Sequence, residues 1–306
     1  SLPVMLKYRY NRPLSCGVIC ASGTLGQIIP PSIILIILGD VMGLAVGDLF
    51  RAAVIPGVTL VGLYIIYVLT YSHLVEGSAP AIPFDDDKSL GKQYINALKA
   101  IIPPLLLIIV VLGSIFAGIA TPTESSAVGG VGAILLAILY RKFSLKALFE
   151  SAEETVKITS MVFAILIGAT AFSMAFTYTG GDLVVEEYLL QLPGEKWGFL
   201  IFSMLFILLL GFFIDFVEIA FIVVPILLPI AELLGIPLLW FAILIAMNLQ
   251  TSFLTPPFGF SLFYLKGVAP PEIKTTDIYR GVTPFILIQI SVLASILTFP
   301  NFYGLS

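Results

Sequence analysis

The stretch LQTSFLTPPFGF, Leu249 to Phe260, lies inside a run from Leu233 to Leu265 that holds no Asp, Glu, Lys, Arg or His. Such a run belongs in a hydrocarbon environment, yet it carries Asn248, Gln250, Thr251, Ser252, Thr255 and the consecutive prolines Pro256 and Pro257, with Gly259 just beyond. Proline removes an amide donor and ends the helix before it, which frees carbonyl oxygens. Backbone of that kind survives at membrane depth only where it is buried in protein or lines a watery cavity. Each side of the interruption is too short to cross a bilayer, which takes roughly 20 residues, but long enough to reach mid-membrane and return. The stretch therefore reads as a re-entrant polar tip.

The rest of the chain has the same character. Of 306 residues, 59% are hydrophobic and 11% charged, against about 25% charged in a soluble domain. Charge-free runs at 52–72, 100–123, 158–181 and 281–306 reach spanning length, and 197–214 approaches it. This predicts an all-α polytopic membrane protein. The net charge of −4 is carried mostly by loops, and no basic patch suggests nucleic acid. Cys16 and Cys20, four apart in an apolar segment, read as buried side chains rather than a disulfide or metal pair. His73, the single histidine, cannot build a metal site alone. The opening SLPVMLKYRYNRPLS has neither a signal-peptide layout nor an initiator Met, so the chain is expected to begin within a longer protein. After the acidic FDDDK at Phe84–Lys88, Leu90–Ala100 reads as an amphipathic surface helix. Placing the N-terminal stretch and the Arg141–Lys146 loop on one side collects seven Lys and Arg there against seven opposite, so the positive-inside rule gives no orientation.

A second double proline, Pro30 and Pro31, sits in SGTLGQIIPP (Ser22–Pro31), which aligns with NLQTSFLTPP (Asn248–Pro257). Further on, GDLFRAAVIP (Gly47–Pro56) aligns with TDIYRGVTPF (Thr276–Phe285). Two features repeated in the same order argue for duplication, a signature of secondary transporters. The expected first portion, 1–140, is N-terminally incomplete and has a hairpin at about 14–43 and one broken helix at about 100–140. The second, 141–306, has a hairpin at about 237–267. With that broken helix counted once, five crossings separate the two units, and an odd number inverts one repeat relative to the other.

The tips offer hard oxygen ligands for an alkali cation: Ser22, Gly23, Thr24 and Gly26 at the first, Asn248, Gln250, Thr251, Ser252 and Thr255 at the second. The half-helix N-termini nearby favour an anion such as a carboxylate. Ser32 joins the first tip. ATPTESS (Ala120–Ser126) brings Thr121, Thr123 and Glu124, and IDFVE (Ile214–Glu218) brings Asp215 and Glu218. Carboxylates at membrane depth are functional candidates. A packing break remains the alternative for the first of these motifs, and a span end near the headgroups for the second.

Together, ASGTLGQIIPPS, TPTE and NLQTSFLTPPFGF resemble the large membrane subunit of tripartite ATP-independent periplasmic (TRAP) transporters, over essentially the whole chain. The resemblance implies sodium-driven uptake of organic acids in a bacterial inner membrane. A periplasmic binding protein would deliver the substrate and a small membrane (Q) subunit would complete the transporter. It implies an elevator fold with inverted repeats, two re-entrant helical hairpins and discontinuous helices. Ser22–Ser32 would be the cytoplasm-facing tip and Asn248–Gly259 the periplasm-facing one. Sodium ions would sit near the tips, and the substrate carboxylate between them near TPTE and IDFVE. Family members have further spans before the equivalent of this N-terminus. The rivals are a sodium/dicarboxylate symporter that needs no binding protein, and an ion channel with two re-entrant loops. No enzyme is expected, since the chain lacks a Ser/His or Asp/Asp pairing at helical spacing.

Overall fold

The computed structural model describes residues 1–81, 90–257 and 259–305. The FDDDK segment lies outside them. The described chain is helical and divides into two compact units, one of Ser1–Pro80 with Ile165–Ser306 and one of Ala81–Ala164. Six of its helices, or continuous helical segments, are long and apolar enough to cross a membrane.

In the first unit, α1 (Leu2–Lys7) leads to α2 (Arg12–Thr24), which starts under an Asn11 side-chain cap on the Leu14 amide. A short 3-10 turn and the double proline lead to α3 (Ile33–Met42), capped by Ser32 and closed by Gly43 in the left-handed region, φ 65°. The long α4 (Val46–Leu74) follows. Both double prolines, Pro30–Pro31 and Pro256–Pro257, contain a cis bond.

The first double-proline unit is not a hairpin. The Asn11 amide donates to the Ser78 carbonyl at 2.8 Å, Gly57 faces Ile29, and Gly39 packs against Val46 and Leu49. Residues 49–74 rise about 37 Å along α4. Helices α2 and α3, of 13 and 10 residues, cover that length only when joined head to tail, at about 35 Å. The chain therefore runs on through the break, antiparallel to α4 on both sides of it.

The second unit of the repeat behaves alike. After α4 the chain passes through the compact unit of Ala81–Ala164 with α5 (Leu90–Phe116), α6 (Pro122–Leu139) and the start of α7 (Leu145–Tyr178), whose residues from Ile165 belong to the first compact unit. Then come α8 (Gly181–Leu190), α9 (Lys196–Leu210), α10 (Phe216–Glu218), a π turn at Ile219–Val223 and α11 (Val224–Leu233). Helix α12 (Leu238–Leu254), a break, α13 (Phe260–Val268) and α14 (Thr275–Thr298) complete the chain. The Trp240 indole donates to the Ile296 carbonyl at 3.0 Å, and the Tyr279 hydroxyl to the Pro257 carbonyl at 3.4 Å, so α12 and α14 are antiparallel. Arg12 meets Glu272, beyond the end of α13, while Cys20 meets Ser261 near its start, so α13 is antiparallel to α2. Helices α2 and α14 cross in the same direction where Gly17 and Gly281 bring their backbones together. It follows that α13 continues in the direction of α12. Two discontinuous helices thus run antiparallel, α2–α3 against α12–α13.

The chain does reverse at IDFVE. Trp197 and Phe199 pack on Trp240 and Phe241 at one end of α12, and Gly211 lies against Ser252 toward the other. Residues 216–233 then return to the start of α12. Helices α9 and α10–α11 therefore form a hairpin with IDFVE at its tip.

In the unit of Ala81–Ala164, the expected single broken helix at 100–140 is an antiparallel pair. The Tyr140 hydroxyl donates to the Lys99 carbonyl at 3.2 Å, and Ser114 and Ser125 share a hydrogen bond at 2.8 Å. Gly132 seats Leu107 and Gly129 seats Val111 between those points. Gly118, at φ 67°, makes the turn. Leu90–Ala100 is continuous with α5 rather than a separate surface helix, and a third proline pair, Pro103–Pro104, is absorbed within α5 without a break. The crossing count behind the inversion argument fails with the broken helix. Lys99 and Arg141 share one end of this unit.

Candidate functional site

The antiparallel course of the two discontinuous helices brings their breaks together in the first unit. A cavity of about 400 Å3 is lined by Cys20, Gly23 and Thr24 of α2, Phe253 of α12, and Ser261 and Tyr264 of α13. The Cys20 thiol donates to the Ser261 carbonyl at 3.7 Å, and the Ser261 hydroxyl to the Phe253 carbonyl at 3.2 Å, which fastens the wall. At each break one helix ends and another begins, so carbonyl ends that favour cations lie beside amide ends that favour anions.

The tip hydroxyls predicted as cation ligands all donate within their own helices. Ser22 donates to Ile19 at 3.2 Å and Thr24 to Ala21 at 2.9 Å. Thr251 donates to Met247 at 2.9 Å, Ser252 to Leu249 at 2.8 Å and Thr255 to Thr251 at 2.7 Å. A hydroxyl has one proton and two lone pairs. With the proton committed, each of these oxygens keeps only lone pairs for a further partner, and Thr24, Thr251 and Ser252 are buried. Beside them, a side chain at Gly23 or Gly26 would meet nothing within 4 Å, so the backbone there borders open space. Ser32 instead serves α3, accepting from the Leu35 amide and donating to the Gln27 carbonyl. Gly259, at the start of α13, leaves no room for a side chain against the Thr255 carbonyl.

Asn248 holds the hairpin. Its amide donates to the Met204 carbonyl of α9 at 2.6 Å, one turn from the Gly211–Ser252 contact. The Asn248 oxygen, Ser203, both amide atoms of Gln250 and both of Gln289 are buried without a hydrogen-bond partner among the described residues. An unsatisfied buried polar group costs about 1–3 kcal/mol, so the structure keeps several such groups around α12. At the hairpin tip, Asp215 caps α10 by accepting from the Phe216 amide at 2.7 Å, and Glu218 keeps one buried oxygen without a partner among the described residues.

Thr121, Thr123 and Glu124 belong to the other unit, where they begin α6. Thr121 and Glu124 form a reciprocal cap: the Thr121 amide donates to Glu124 Oε2 at 2.8 Å and the Glu124 amide to the Thr121 hydroxyl at 3.3 Å. That exchange satisfies free helix-end donors and accounts for the spacing of the motif.

The sequence reading passed over Ser261, Tyr264, Phe253, Ser203 and Gln289, and took Cys20 as ordinary core. Gln289 and Ser203 are single polar residues in apolar helices, a weak signal. Ser261 stands two residues beyond Gly259 in the charge-free run and was the more legible of them.

Comparison with known proteins shows the family. The model of the DctM component of tripartite ATP-independent periplasmic transporters matches residues 1–302. The chain is 31% identical over 310 residues to the C4-dicarboxylate TRAP transporter large permease protein DctM of Pseudomonas aeruginosa, covering 99% of this chain and 71% of that one. It is 30% identical over 295 residues to the sialic acid TRAP transporter large permease protein SiaM of Vibrio cholerae, covering 96% and 67%. Against the sialic acid TRAP transporter permease protein SiaT of Haemophilus influenzae it is 30% identical over 300 residues, 95% of this chain but 47% of that protein. The chain belongs to the DctM family, the large permease component of tripartite ATP-independent periplasmic transporters.

Proposed function

We propose that the chain is the membrane permease of a sodium-coupled uptake system for organic acids. The observation that carries this reading is the meeting of two helix breaks at one cavity, where Thr24, its proton committed within α2, lines the wall with Gly23 and Ser261 beside the ends of the broken helices. Such a donor set suits an alkali cation, and the neighbouring amide ends suit a substrate carboxylate. Ser22, Gly23, Thr24 and Gly26 would serve one ion, and Thr251, Ser252, Thr255 and the oxygens of Asn248 and Gln250 another. Asp215 and Glu218 would approach from the hairpin tip, which we read as re-entrant. The substrates named for the relatives, sialic acid and C4-dicarboxylates, support a carboxylate as the transported group. A periplasmic binding protein and a small membrane subunit are the expected partners.

The antiparallel pairing of α2–α3–α4 with α12–α13–α14 supports reading them as inverted repeats, on direct geometry in place of a crossing count. Charge then supports an orientation. The end of the first unit where α2 and α14 begin holds Lys7, Arg9, Arg12, Lys266, Lys274 and Arg280, against Arg51 and Lys196 at the other. By the positive-inside rule the first end is cytoplasmic, so the IDFVE hairpin opens toward the periplasm. In the elevator motion expected of the family, both breaks and the hairpin tip would travel as one body, since all belong to one compact unit.

The test is thermal unfolding of the purified full-length permease in sodium and in potassium. A ligand at 100 times its Kd adds about 2.7 kcal/mol of stability. A saturable sodium-specific shift, reduced in Thr24→Val and Thr255→Val, is expected. Equal shifts in both salts, or shifts untouched by either substitution, would overturn the sodium assignment.

A further inference from the structure

The unit of Ala81–Ala164 gathers positive charge at one end. The hydrogen bond from Tyr140 to the Lys99 carbonyl sets the start of α5 beside the end of α6, where Arg141 and Lys142 follow at once. Among the described residues Lys99, Arg141 and Lys142 have no acidic partner, and Lys146 has only the exposed Glu150 at 3.8 Å. The acids further along α7, Glu153 and Glu154, are engaged by Lys157 at 3.1 Å. A groove of about 400 Å3 lies between α6 and α7 at this end. Gly130, Ala133, Ala137 and Ala147 line it with little side-chain bulk, and Lys142 and Ser144 border it where the two helices join.

The α6 wall belongs to a helix of spanning length, whereas the α7 wall belongs to the charged stretch Lys146–Lys157 that precedes the charge-free run of α7, so the groove lies where the hydrocarbon meets the headgroups, with its cationic end at the headgroups. We propose that this groove binds one anionic phospholipid, its acyl chain along the alanines and its phosphate against Lys142 and Arg141. Charge complementarity selects this occupant. Free phosphate makes no use of an apolar floor, and an uncharged apolar helix leaves the cations unanswered. A cluster of basic residues beside a membrane helix is the usual form of an anionic-lipid site.

The test is native mass spectrometry of the full-length permease with phosphatidylglycerol, phosphatidylcholine or inorganic phosphate added. Wild-type protein should retain phosphatidylglycerol in preference to phosphatidylcholine. Removing two surface cations in Arg141→Ala/Lys142→Ala should weaken retention by on the order of ten- to thirtyfold. Ala137→Phe, which fills the floor, should weaken it as well, whereas Arg141→Lys/Lys142→Arg should keep it. The proposal is overturned if phosphatidylcholine is retained equally, if inorganic phosphate displaces the lipid, or if Ala137→Phe retains it unchanged. The last arm stands even where the double alanine variant does not fold.

Discussion

Replacing Gly17 by alanine probes the crossing of α2 and α14 that holds the first break in place. A Cβ at Gly17 would stand 2.6 Å from the Gly281 carbonyl carbon and 2.9 Å from the Phe285 ring, with the Gly281 oxygen closer still. The obstacle is backbone, so no rotamer change relieves it and the helices must separate. Overpacking of this kind costs about 1–3 kcal/mol, and backbone on both sides argues for the upper part of that range. Alanine returns up to about 1 kcal/mol of helix propensity, leaving a net loss of about 1–2 kcal/mol. Gly23, in the same helix, has nothing within 4 Å of a Cβ. There the propensity gain stands alone, so Gly23→Ala should be neutral or stabilising. Thermal unfolding of the two variants in one detergent should separate them by about 2–3 kcal/mol, from the same two magnitudes. Equal stability of Gly17→Ala and Gly23→Ala would refute the close crossing.

Two further outcomes follow from individual contacts. Thr121→Ala should cost about 1 kcal/mol through loss of a helix cap, while Glu124→Gln, whose amide oxygen can still accept from Thr121, should stay near wild type; the reverse order in unfolding measurements would return Glu124 to a role outside the cap. Asn248→Leu removes the donor to Met204, so amide hydrogen exchange across Ser203–Leu210 should quicken relative to α14, and unchanged exchange would show that Asn248 does not hold the hairpin.

What the sequence made legible follows from range. Charge-free runs mark spans because the bilayer acts on each residue separately, and Pro30–Pro31 and Pro256–Pro257 mark breaks because proline acts on its own turn. The direction of the chain beyond a break is not local. The ten residues of α3 after Ser32 look the same whether they return along α2 or continue past it. Contacts such as Asn11 with Ser78 and Gly39 with Leu49 decide between these, and they join residues far apart. Reading Ala100–Tyr140 as one helix overlooked Gly118 as a turn and the Gly129–Gly132 spacing that seats Val111 and Leu107. The cavity itself was half visible. Thr24 and Gly23 stood out beside their prolines, whereas Ser261 and Tyr264 enter only because α13 runs on beside α2.

The account rests on the chain running straight through its double-proline breaks, and one distance tests that most directly. Spin labels at the exposed Arg12 and Asp40, in a background lacking Cys16 and Cys20, flank the first break. Continuous passage predicts a separation of about 35–40 Å by double electron–electron resonance, from the rise of α2 and α3 end to end. A hairpin with helices packed about 8–10 Å apart would return Asp40 toward Arg12, and a main peak under about 20 Å would contradict the account.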